Sequence, residues 1–576
     1  MTDYRPPIDD IAFSLELAGY EQVAALPQFA HADLETVTGM LHEAGDFLAK
    51  VVAPTNRDGD TIGARFEGDG VVTTPESFKD AYQRLVESGW LTVPYAEEWG
   101  GGGFPGTVGF AIQELVQSSN MAFSLGPLLT HGFLDAFLAY ASDDLKATYV
   151  EKMVSGQWMG TMNLTEPQAG TDVGALTTKA VPNGDGSYAI TGQKIFITWG
   201  EHDLTENIVH LVLARTPGAP EGTRGISLFV VPKLLPDADG EPGERNALEC
   251  IGIEEKIGIH GSPTCVMSYR GAKGWLVGEE LGGMRAMFVM MNVARLSVGM
   301  QGLSQSVRAY QQSAAYAKER VQGRTVTGEP TIIGHPDVRR MVATQRATSE
   351  ALRSLLLLNA VQIDLAHHHP DAAVRERAEE LAGLLTPLSK AWGTDVGVES
   401  ASLNIQVHGG HGYIEETGAG QFWRDARISP IYEGTNGVQA ADLVGRKLPV
   451  RDGRSCLEFI GEMQALLPEL AAAGDRYAGI AGALERHLGT LERTTGWMLR
   501  TGAGGDSASV LAGSVPYLRI WALCVGGWLL AKGALRSGSA DRLALAEFFA
   551  TQLLPEVDAL AAAATAGYAT LAAVEL

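Results

Sequence analysis

Hydrophobic residues recur at helical spacing in the early part of the chain. Between residues 33 and 157 the apolar side chains return every three or four positions, as in the series Phe78, Tyr82 and Leu85. Pro75 stands just before that series, where proline is favoured in the first turn of a helix. The pattern predicts a helical region over residues 33–157.

The spacing changes to short alternating runs between residues 158 and 278. Residues 188–198, 208–214 and 226–232 have the period of two, or the short apolar length, that indicates β-strands. Turn-forming residues separate these runs, and the polar segment 236–244 is expected to be a loop. We therefore predict a β domain over residues 158–278.

Helical spacing returns in longer segments after residue 279. Pro336 is placed to begin one of these helices, and Met341, Leu352 and Leu356 trace a single face of it. Long helices with one apolar face are typical of a bundle. The pattern predicts a helical bundle domain over residues 279–448.

Both ends of the chain extend beyond these three regions. Residues 446–455 contain proline and glycine and are expected to form a linker. Residues 455–576 are rich in Leu and Ala at helical spacing, with a break near residues 502–509. This predicts an extra C-terminal helical domain over 455–576 and an N-terminal extension over 1–32, with no internal repeat.

The overall composition is that of a globular protein with an acidic balance, 45% hydrophobic and 19% charged, with a net charge of −24. Such a chain repels nucleic-acid phosphates and anionic lipids, so these partners are disfavoured. Residues 1–10 lack the basic-then-apolar pattern of a signal peptide. The longest apolar run, 521–530, is shorter than the roughly 20 residues that span a bilayer. We expect a cytoplasmic protein without a membrane span.

The residues that commonly bind metals do not form a recognisable site. The chain has four cysteines, at Cys250, Cys265, Cys456 and Cys524. None of them forms a CxxC pair or has zinc spacing, which favours reduced thiols. His408 and His411 could be a metal-binding pair, but no further ligand stands near them in the sequence. We predict no metal site.

Two segments near the predicted strands combine turn residues, hydroxyl groups and an aromatic ring. Segment 164–172, Leu-Thr-Glu-Pro-Gln-Ala-Gly-Thr-Asp, by itself predicts a turn between a helix and a strand. Segment 192–198, Gly-Gln-Lys-Ile-Phe-Ile-Thr, alternates as an ordinary strand does. Neither segment indicates a function when taken alone.

A more specific pattern of glycine, histidine and glutamate lies in the predicted bundle. Segment 405–413 is Ile-Gln-Val-His-Gly-Gly-His-Gly-Tyr, and segment 431–436 is Ile-Tyr-Glu-Gly-Thr-Asn. Upstream, segment 291–296, Met-Asn-Val-Ala-Arg-Leu, falls in a helical stretch. Paired glycines allow a phosphate group to approach the backbone closely.

Taken together and in this order, the four segments resemble the acyl-CoA dehydrogenase family over residues 33–448. The resemblance implies an α+β fold with an N-terminal helical domain, a middle β-barrel-like domain and a C-terminal four-helix bundle, followed here by the extra helical bundle. It also implies FAD as cofactor and oxidation of the Cα–Cβ bond of an acyl-CoA thioester to the trans-2-enoyl-CoA, as in fatty acid β-oxidation.

The resemblance assigns contacts with FAD to residues in several segments. Thr165 would hydrogen-bond the pyrimidine edge of the flavin, and Phe196, where many members have Trp, would pack on the ring. The segment with Arg320 would reach the pyrophosphate from a neighbouring subunit. Gly437 stands where many members have a Gln that touches the cofactor. The predicted cofactor contacts are Leu164, Thr165, Phe196, Thr198, Arg320, Gln406, Gly409, Gly410 and Thr435.

The resemblance also identifies Glu433 as the catalytic base. Glu433 would take the Cα proton while hydride passes from Cβ to flavin N5 on the opposite face of the acyl chain. Burial against an apolar ligand would raise the pKa of this carboxylate and strengthen it as a base. Ala294 stands where one branch of the family carries its catalytic Glu, so the base must come from elsewhere. The predicted substrate contacts are Thr171, Asn292, Arg295, Tyr432 and Gly434.

The extensions at both ends resemble a bacterial subgroup of the family. That subgroup includes broad-range fatty acyl-CoA dehydrogenases and 3-methylmercaptopropionyl-CoA dehydrogenases, so the acyl group is left open between these two types. The family norm implies an electron-transfer flavoprotein as electron acceptor and a homo-oligomer, for which we expect a dimer.

Two alternative functions share this fold. An acyl-CoA oxidase would use the same base and pass its electrons to O2, and no single residue separates it from a dehydrogenase. A non-catalytic relative that binds flavin or DNA is the alternative of a different class. DNA binding needs a basic face, yet residues 446–576 contain 12 Lys and Arg against 13 Asp and Glu, a net charge of −1.

Overall fold

The computed structural model describes residues 4–575, with the side chains of Val289, Met290 and Asn292 outside the description. The elements follow the order helices, strands, helices, as the sequence pattern predicts. The first region is helical, with one short hairpin. Its elements are α1 Ile8–Ala18, α2 Glu21–Ala24, α3 Leu34–Val51, α4 Asn56–Thr61, β1 Arg65–Gly68, β2 Val71–Thr73, α5 Glu76–Ser88, α6 Gly106–Ser119, α7 Met121–Tyr140 and α8 Asp143–Val154.

The second region consists of strands. Six of them follow one another as β3-β6-β7-β11-β5-β4 in a seven-stranded sheet, and the seventh, β10, pairs with β11. The long strand β11 pairs with β7 near its end and with β5 along the rest of its length, so it belongs to both halves of the sheet. The strands are β3 Trp158–Asn163, β4 Lys179–Pro182, β5 Tyr188–Thr198, β6 Asn207–Ala214, β7 Ser227–Pro232, β8 Leu234–Pro236, β9 Pro242–Arg245, β10 Leu248–Ile253 and β11 Thr264–Val277.

The third region is helical to the end of the description. Three long helices, α9, α10 and α11, come first, and Pro336 occupies the first turn of α10 as predicted. The helices are α9 Gly283–Glu319, α10 Pro336–His368, α11 Ala372–His408, α12 Ala419–Ala426, α13 Asn436–Asp442, α14 Arg454–Gln464, α15 Leu467–Ala472, α16 Asp475–Ala503, α17 Ser507–Ala512, α18 Ser514–Ser537, α19 Ala540–Phe548, α20 Glu556–Ala564 and α21 Ala569–Ala572.

The chain forms two compact units. One contains residues 44–104 and 115–294, and its core lies on both faces of the sheet. Alternation along β6 decides which face each residue joins, because successive side chains of a strand point to opposite sides. Val209 and Leu211 join the cluster around Trp158, whereas Val212 joins the cluster around Met267.

The other unit contains residues 1–43, 105–114 and 295–576. Helices α10 and α11 pack along each other in it, and α18 packs against both of them as well as against α16 and α20. Helix α18 is apolar on most of its surface, and its residues Trp521, Cys524 and Leu529 are fully buried. The extra C-terminal helices and the bundle therefore share one core.

Two segments expected to lack regular structure are ordered differently. Residues 236–244, predicted as a loop, contribute to the hairpin of β8 and β9. Its turn is closed by Asp237, whose Oδ1 accepts from the N–H groups of Asp239 (2.9 Å) and Glu241 (3.0 Å). The expected linker over residues 446–455 contains the end of a π-helical turn, a 3-10 turn and the start of α14. The composition of these two segments indicates flexible chain, but local hydrogen bonds give both of them regular structure.

Two helices, α7 and α18, have the length and hydropathy of a membrane span. In each, 83% of the most apolar 18-residue window is buried inside the protein. Apolar helices buried in this way are typical of a protein core. The apolar run at residues 521–530 lies within α18 and is buried there.

Candidate active site

Glu433 lies in a short loop before α13 that is closed by backbone and side-chain hydrogen bonds. The N–H of Asn436 donates to the carbonyl of Pro430 at 3.0 Å. The Gln439 amide donates to the carbonyls of Glu433 (3.3 Å) and Gly434 (3.4 Å). We call residues 430–436 the base loop.

Glu433 itself has a left-handed backbone, with φ of 55°, and Gly434 follows with φ of 83°. A residue with a side chain in this conformation costs about 1–3 kcal/mol and persists only where the surroundings enforce it. The closure of the base loop supplies that enforcement. Strain of this kind is concentrated at functional sites, because it fixes the direction of one side chain.

Three charged groups define the electrostatics around the base loop. Burial raises the pKa of Glu433 above the ordinary carboxyl value, while Arg295 and Lys390 act in the opposite direction. Arg295 is buried and donates from Nη1 to Asp442 at 3.3 Å. The Lys390 ammonium donates to Asn436 Oδ1 at 3.0 Å. Glu433 is thus a partly exposed carboxyl group whose pKa is raised by desolvation in spite of two nearby cations.

Several donors at this site have no partner in the part of the chain that the structure describes. These are the N–H of Glu433, Nε of Arg295 and Nε2 of Gln301. The hydroxyl of Tyr432 donates to the other amide atom of Gln301, its Oε1. Buried side-chain donors such as those of Arg295 and Gln301 are normally satisfied, so free ones beside a carboxylate indicate a place for a ligand with acceptor oxygens.

The glycine pair at the end of α11 forms an open surface. Gly409 has φ of 58° and ψ of −139°, a conformation that is available to glycine alone. A Cβ atom on either Gly409 or Gly410 would meet nothing within 4 Å. Both glycines and Gln406 are exposed. The backbone here is free to receive a group such as a diphosphate.

The histidines next to the glycine pair, His408 and His411, pack against Tyr316 or lie within hydrogen-bonding distance of it. His408 is buried and stacks on Tyr316 with ring centroids 4.2 Å apart. Its Nδ1 lies 2.8 Å from the carbonyl of Asn404, and burial lowers its pKa. His411 lies 3.5 Å from the Tyr316 hydroxyl. Within the described chain no group of three His, Cys, Asp or Glu side chains is placed to hold a metal ion.

In the other unit, the segment around Thr165 is fixed by a buried ion pair. Lys194 Nζ lies 2.8 Å from Glu166 Oε1 and donates to the carbonyl of Leu164 at 3.0 Å. The side chains of Lys194 and Glu166 are 0% and 2% exposed. The N–H of Ile195 donates to the carbonyl of Thr165 at 2.9 Å. The predicted flavin-edge residues Leu164 and Thr165 are therefore attached directly to β5.

A β-bulge presents Phe196 outward. The pairing of β5 with β11 shifts near Met267, and Phe196 adopts φ of 59°. An extra residue in one strand re-aims a side chain in this way. The Phe196 ring is 57% exposed, although large apolar rings are usually buried. An exposed ring fits the flat face of an aromatic cofactor.

The other predicted residues are less constrained. Thr171 and Arg320 are exposed, and Thr198 is partly exposed at the end of β5. Thr435 accepts from the N–H of Val438 at 3.2 Å and so caps α13. The side chain of Asn292 lies outside the described residues. Within its unit, the structure gathers Tyr432, Glu433, Gly434 and Arg295 around the base loop.

Sequence reasoning missed three residues of the site, namely Gln301, Lys390 and the side chain of Asn436. Lys390 leaves one signal in the sequence, since it is a lysine inside an apolar helical stretch that includes Leu388 and Trp392. Asn436 belongs to the segment 431–436, but no role could be assigned to its side chain because its partners are distant in the chain. Gln301 leaves no signal, for the same reason.

Comparison with known proteins assigns the chain to a family over nearly its whole length. Four domain models match: acyl-CoA dehydrogenase N-terminal domain (36–157), middle domain (161–272) and C-terminal domain (282–448), and acetyl-CoA dehydrogenase C-terminal like (459–575). A 3-methylmercaptopropionyl-CoA dehydrogenase of Ruegeria pomeroyi is 46% identical over 572 residues, covering 96% of this chain and 97% of that one.

Two further proteins show the same relationship. FadE5, a broad-specificity linear acyl-CoA dehydrogenase of Mycobacterium tuberculosis, is 35% identical over 595 residues, covering 96% of each chain. The crystal structure of an acyl-CoA dehydrogenase complexed with FAD from Bacillus anthracis has the same fold, with a TM-score of 0.74 at 21% identity, covering 93% of this chain and 88% of that chain. The chain therefore belongs to the acyl-CoA dehydrogenase family and is an FAD-dependent oxidoreductase that dehydrogenates an acyl-CoA.

Proposed function

We propose that Glu433 removes the Cα proton of a fatty acyl-CoA, which leaves as the trans-2-enoyl-CoA in a reaction of the β-oxidation type. The observation that carries the proposal is the placement of Glu433 at a strained position of a closed loop, where burial raises its pKa. A carboxylate with a raised pKa is a stronger base.

The surroundings of Glu433 serve the same step. Arg295 and Lys390 favour the ionised form of the carboxylate, so that it is ready to accept a proton. The N–H of Glu433, which lacks an acceptor among the described residues, is available to the thioester oxygen as negative charge develops there. Donors aimed at a developing oxyanion are among the largest contributors to catalysis.

The cofactor contacts are proposed from the same geometry. Thr165 and Leu164 would hold the pyrimidine edge of FAD, Phe196 would lie on its ring, and Gly409 with Gly410 would receive its diphosphate. Thr198, Gln406, Thr435 and Arg320 would complete the predicted set. When bound, FAD supplies the acceptor for the hydrogen and two electrons that leave Cβ.

The acyl group has two candidate chemistries. The resemblance to fatty acyl-CoA dehydrogenases favours a plain fatty acyl chain. The 46% identity to a 3-methylmercaptopropionyl-CoA dehydrogenase, over 97% of that protein, favours a short acyl group with a thioether. Thr171, Asn292, Tyr432 and Gly434 remain the proposed substrate contacts together with Arg295.

The proposed partners are an electron-transfer flavoprotein, which would reoxidise the cofactor in the cytoplasm, and a second copy of the chain. Exposed apolar residues support self-association. Tyr413 is 90% exposed, and Val321 and Val326 on the segment after α9 are 63% and 85% exposed. Covering such residues is favourable in a stable homodimer.

Light scattering should give a mass of twice 61.2 kDa, and a monomer mass would contradict the dimer.

The proposed reaction is tested by anaerobic titration of the FAD-loaded protein with a panel of acyl-CoAs. The panel contains saturated chains of graded length and 3-methylmercaptopropionyl-CoA, and the visible flavin band is followed. We expect bleaching at one equivalent of the preferred thioester, with the rate ranking the two candidate chemistries. A yellow protein that no thioester bleaches would exclude the dehydrogenase reaction.

A further inference from the structure

Lys390 is a buried ammonium with little to balance it. It lies within α11, and its exposure is 0%. In the part of the chain that the structure describes, its side chain donates one hydrogen bond, to Asn436 Oδ1 at 3.0 Å, and forms no ion pair within 4.0 Å. An ammonium kept in such a site is costly, since burial disfavours the charged form. A lysine here therefore needs an explanation other than packing.

Asn436 is the point at which the base loop is attached to α11. Its Nδ2 donates to Asp395 Oδ1 (2.7 Å), to Thr394 Oγ1 (3.0 Å) and to the carbonyl of Ala391 (3.1 Å). Its backbone N–H closes the loop on Pro430. Lys390 donates to the remaining amide atom, Oδ1, which also accepts from the Thr394 hydroxyl at 3.1 Å. The ammonium is thus one of the groups that attach the loop that carries Glu433.

The charged groups that face Lys390 come from three elements. Glu433 of the base loop and Asp395 of α11 favour its protonated form, and Arg295 of α9 opposes it. Burial outweighs these and lowers the pKa of Lys390 to about 7. Burial also raises the pKa of Asp395 to about 6, so this carboxylate loses its charge as the pH falls below that value. Glu433 is consequently the largest favourable charge acting on Lys390, and Lys390 acts on Glu433 alongside Arg295.

We propose that Lys390 is a positioning residue for Glu433: its ammonium fixes the Asn436 end of the base loop, and its charge keeps the Glu433 carboxylate ionised. The inference rests on Glu433 being the base. It assigns to Lys390 two separable effects, a hydrogen bond that holds the loop and a charge that acts on the carboxylate.

The charge has a predictable effect on pH dependence. A cation near a carboxylate lowers its pKa, so removing the charge of Lys390 raises the pKa of Glu433. The base must be ionised to act, and activity therefore falls as pH drops through that pKa. Without the charge, the acid limb of the rate profile moves to higher pH. Activity lost in this way returns when the pH is raised, whereas damage to the fold would not.

Ion pairs connect the surroundings of Lys390 to the extra C-terminal helices. Arg519 of α18 lies 2.7 Å from Glu399 of α11 and 2.8 Å from Glu556 of α20. Arg519 and Glu399 both act on the ionisation of Asp395, one turn of α11 away from Glu399. The attachment point of the base loop is thus electrostatically linked to α18.

The experiment compares Lys390→Met, Lys390→Gln and Lys390→Arg with wild type by anaerobic stopped-flow reduction from pH 5.5 to 9. Met removes charge and donor, Gln keeps a donor, and Arg keeps the charge. We expect the acid limb of Met and Gln to move up by about one pH unit, with about a tenfold loss below it that disappears at high pH. Lys390→Arg should retain the wild-type limb.

Lys532→Met is the matched control, since Lys532 of α18 is a partly buried lysine that donates to a backbone carbonyl, that of Leu17, at 2.9 Å. It should leave the profile unchanged. Thermal unfolding and FAD content are measured for each variant, and Lys390→Gln decides if Lys390→Met does not fold. An acid limb at the wild-type position in both neutral variants, or an equal loss at every pH, would overturn the inference.

The Glu433→Gln variant separates the two hypotheses. If it is inactive while the acid limbs of the Lys390 variants stay at the wild-type position, Glu433 is still the base and only the role of Lys390 is contradicted. If Glu433→Gln is active, Glu433 is not the base, and the role of Lys390 is contradicted as well.

Discussion

Replacing Glu433 with Gln should slow reduction of the flavin by acyl-CoA by about 10³–10⁴-fold, the upper part of the range for loss of a general base. The amide has nearly the volume of the carboxylate, so the base loop can keep its closure by Asn436 and Gln439. It cannot accept the Cα proton. The expected result is a yellow, folded protein that binds acyl-CoA and bleaches extremely slowly in the anaerobic stopped-flow assay.

A matched control separates loss of the base from loss of a charge elsewhere. Glu469→Gln changes an exposed glutamate of α15 in the same way and should leave the rate within about twofold, as is usual for a surface substitution. FAD content and the dissociation constant for a non-reactive acyl-CoA analogue should be close to wild type in both variants. A Glu433→Gln protein that reacts within tenfold of wild type would assign the proton transfer to another group.

The elements that the sequence predicts well are those set by local pattern. The strand at residues 188–198 was bounded by its alternation, and α10 begins at Pro336 because proline suits the first turn of a helix. The β1–β2 hairpin lies within the region predicted as helical, and β8–β9 was predicted as a loop. Hairpins this short depend on a few turn contacts, such as those of Asp237, that hydrophobic periodicity does not report.

The candidate site shows the same division. Glu433 could be selected from its motif, because family resemblance is carried by residues that are adjacent in the chain. Its left-handed backbone and its relation to Lys390 depend on how the base loop meets α11. The outward direction of Phe196 depends on a bulge that arises from pairing with β11. Contacts of this kind join positions that no local pattern connects.

The buried ion pair of Glu166 and Lys194 is the second place where we expect a substitution to have a large effect, here on the stability of the protein. Lys194 holds the pKa of Glu166 down to about 2, although burial acts in the other direction, and Glu166 also accepts hydrogen bonds from Thr177 and Thr178. Burial of Lys194 lowers its pKa, and the carboxylate opposes that shift. The pKa of Glu166 stays low because this carboxylate has several donors in addition to the ammonium.

Lys194→Met should destabilise the protein by about 3–5 kcal/mol, because it leaves an uncompensated carboxylate in a buried site. The carbonyl of Leu164 also loses its donor, so the segment proposed to hold the flavin edge should loosen and FAD should be lost more readily. Thermal unfolding and the FAD-to-protein ratio after gel filtration measure the two effects. Lys179→Met, an exposed lysine of β4 in the same unit, is the control and should change neither.

If Lys194→Met acts by leaving the Glu166 charge uncompensated, its effect on the free energy of unfolding depends on pH. Loss of packing alone has no such pH dependence. Because the pKa of Glu166 is lower in the folded state than its ordinary value of 4.5, the stabilisation is complete above about pH 4.5 and disappears as the pH falls towards 2. The stability gap between wild type and Lys194→Met should therefore narrow as the solution is acidified. The double variant Glu166→Gln with Lys194→Met removes both charges and should recover much of the loss at neutral pH. If the difference in stability between wild type and Lys194→Met stays constant with pH, and the double variant recovers no stability, the packing of the lysine stem stabilises the protein and its charge does not.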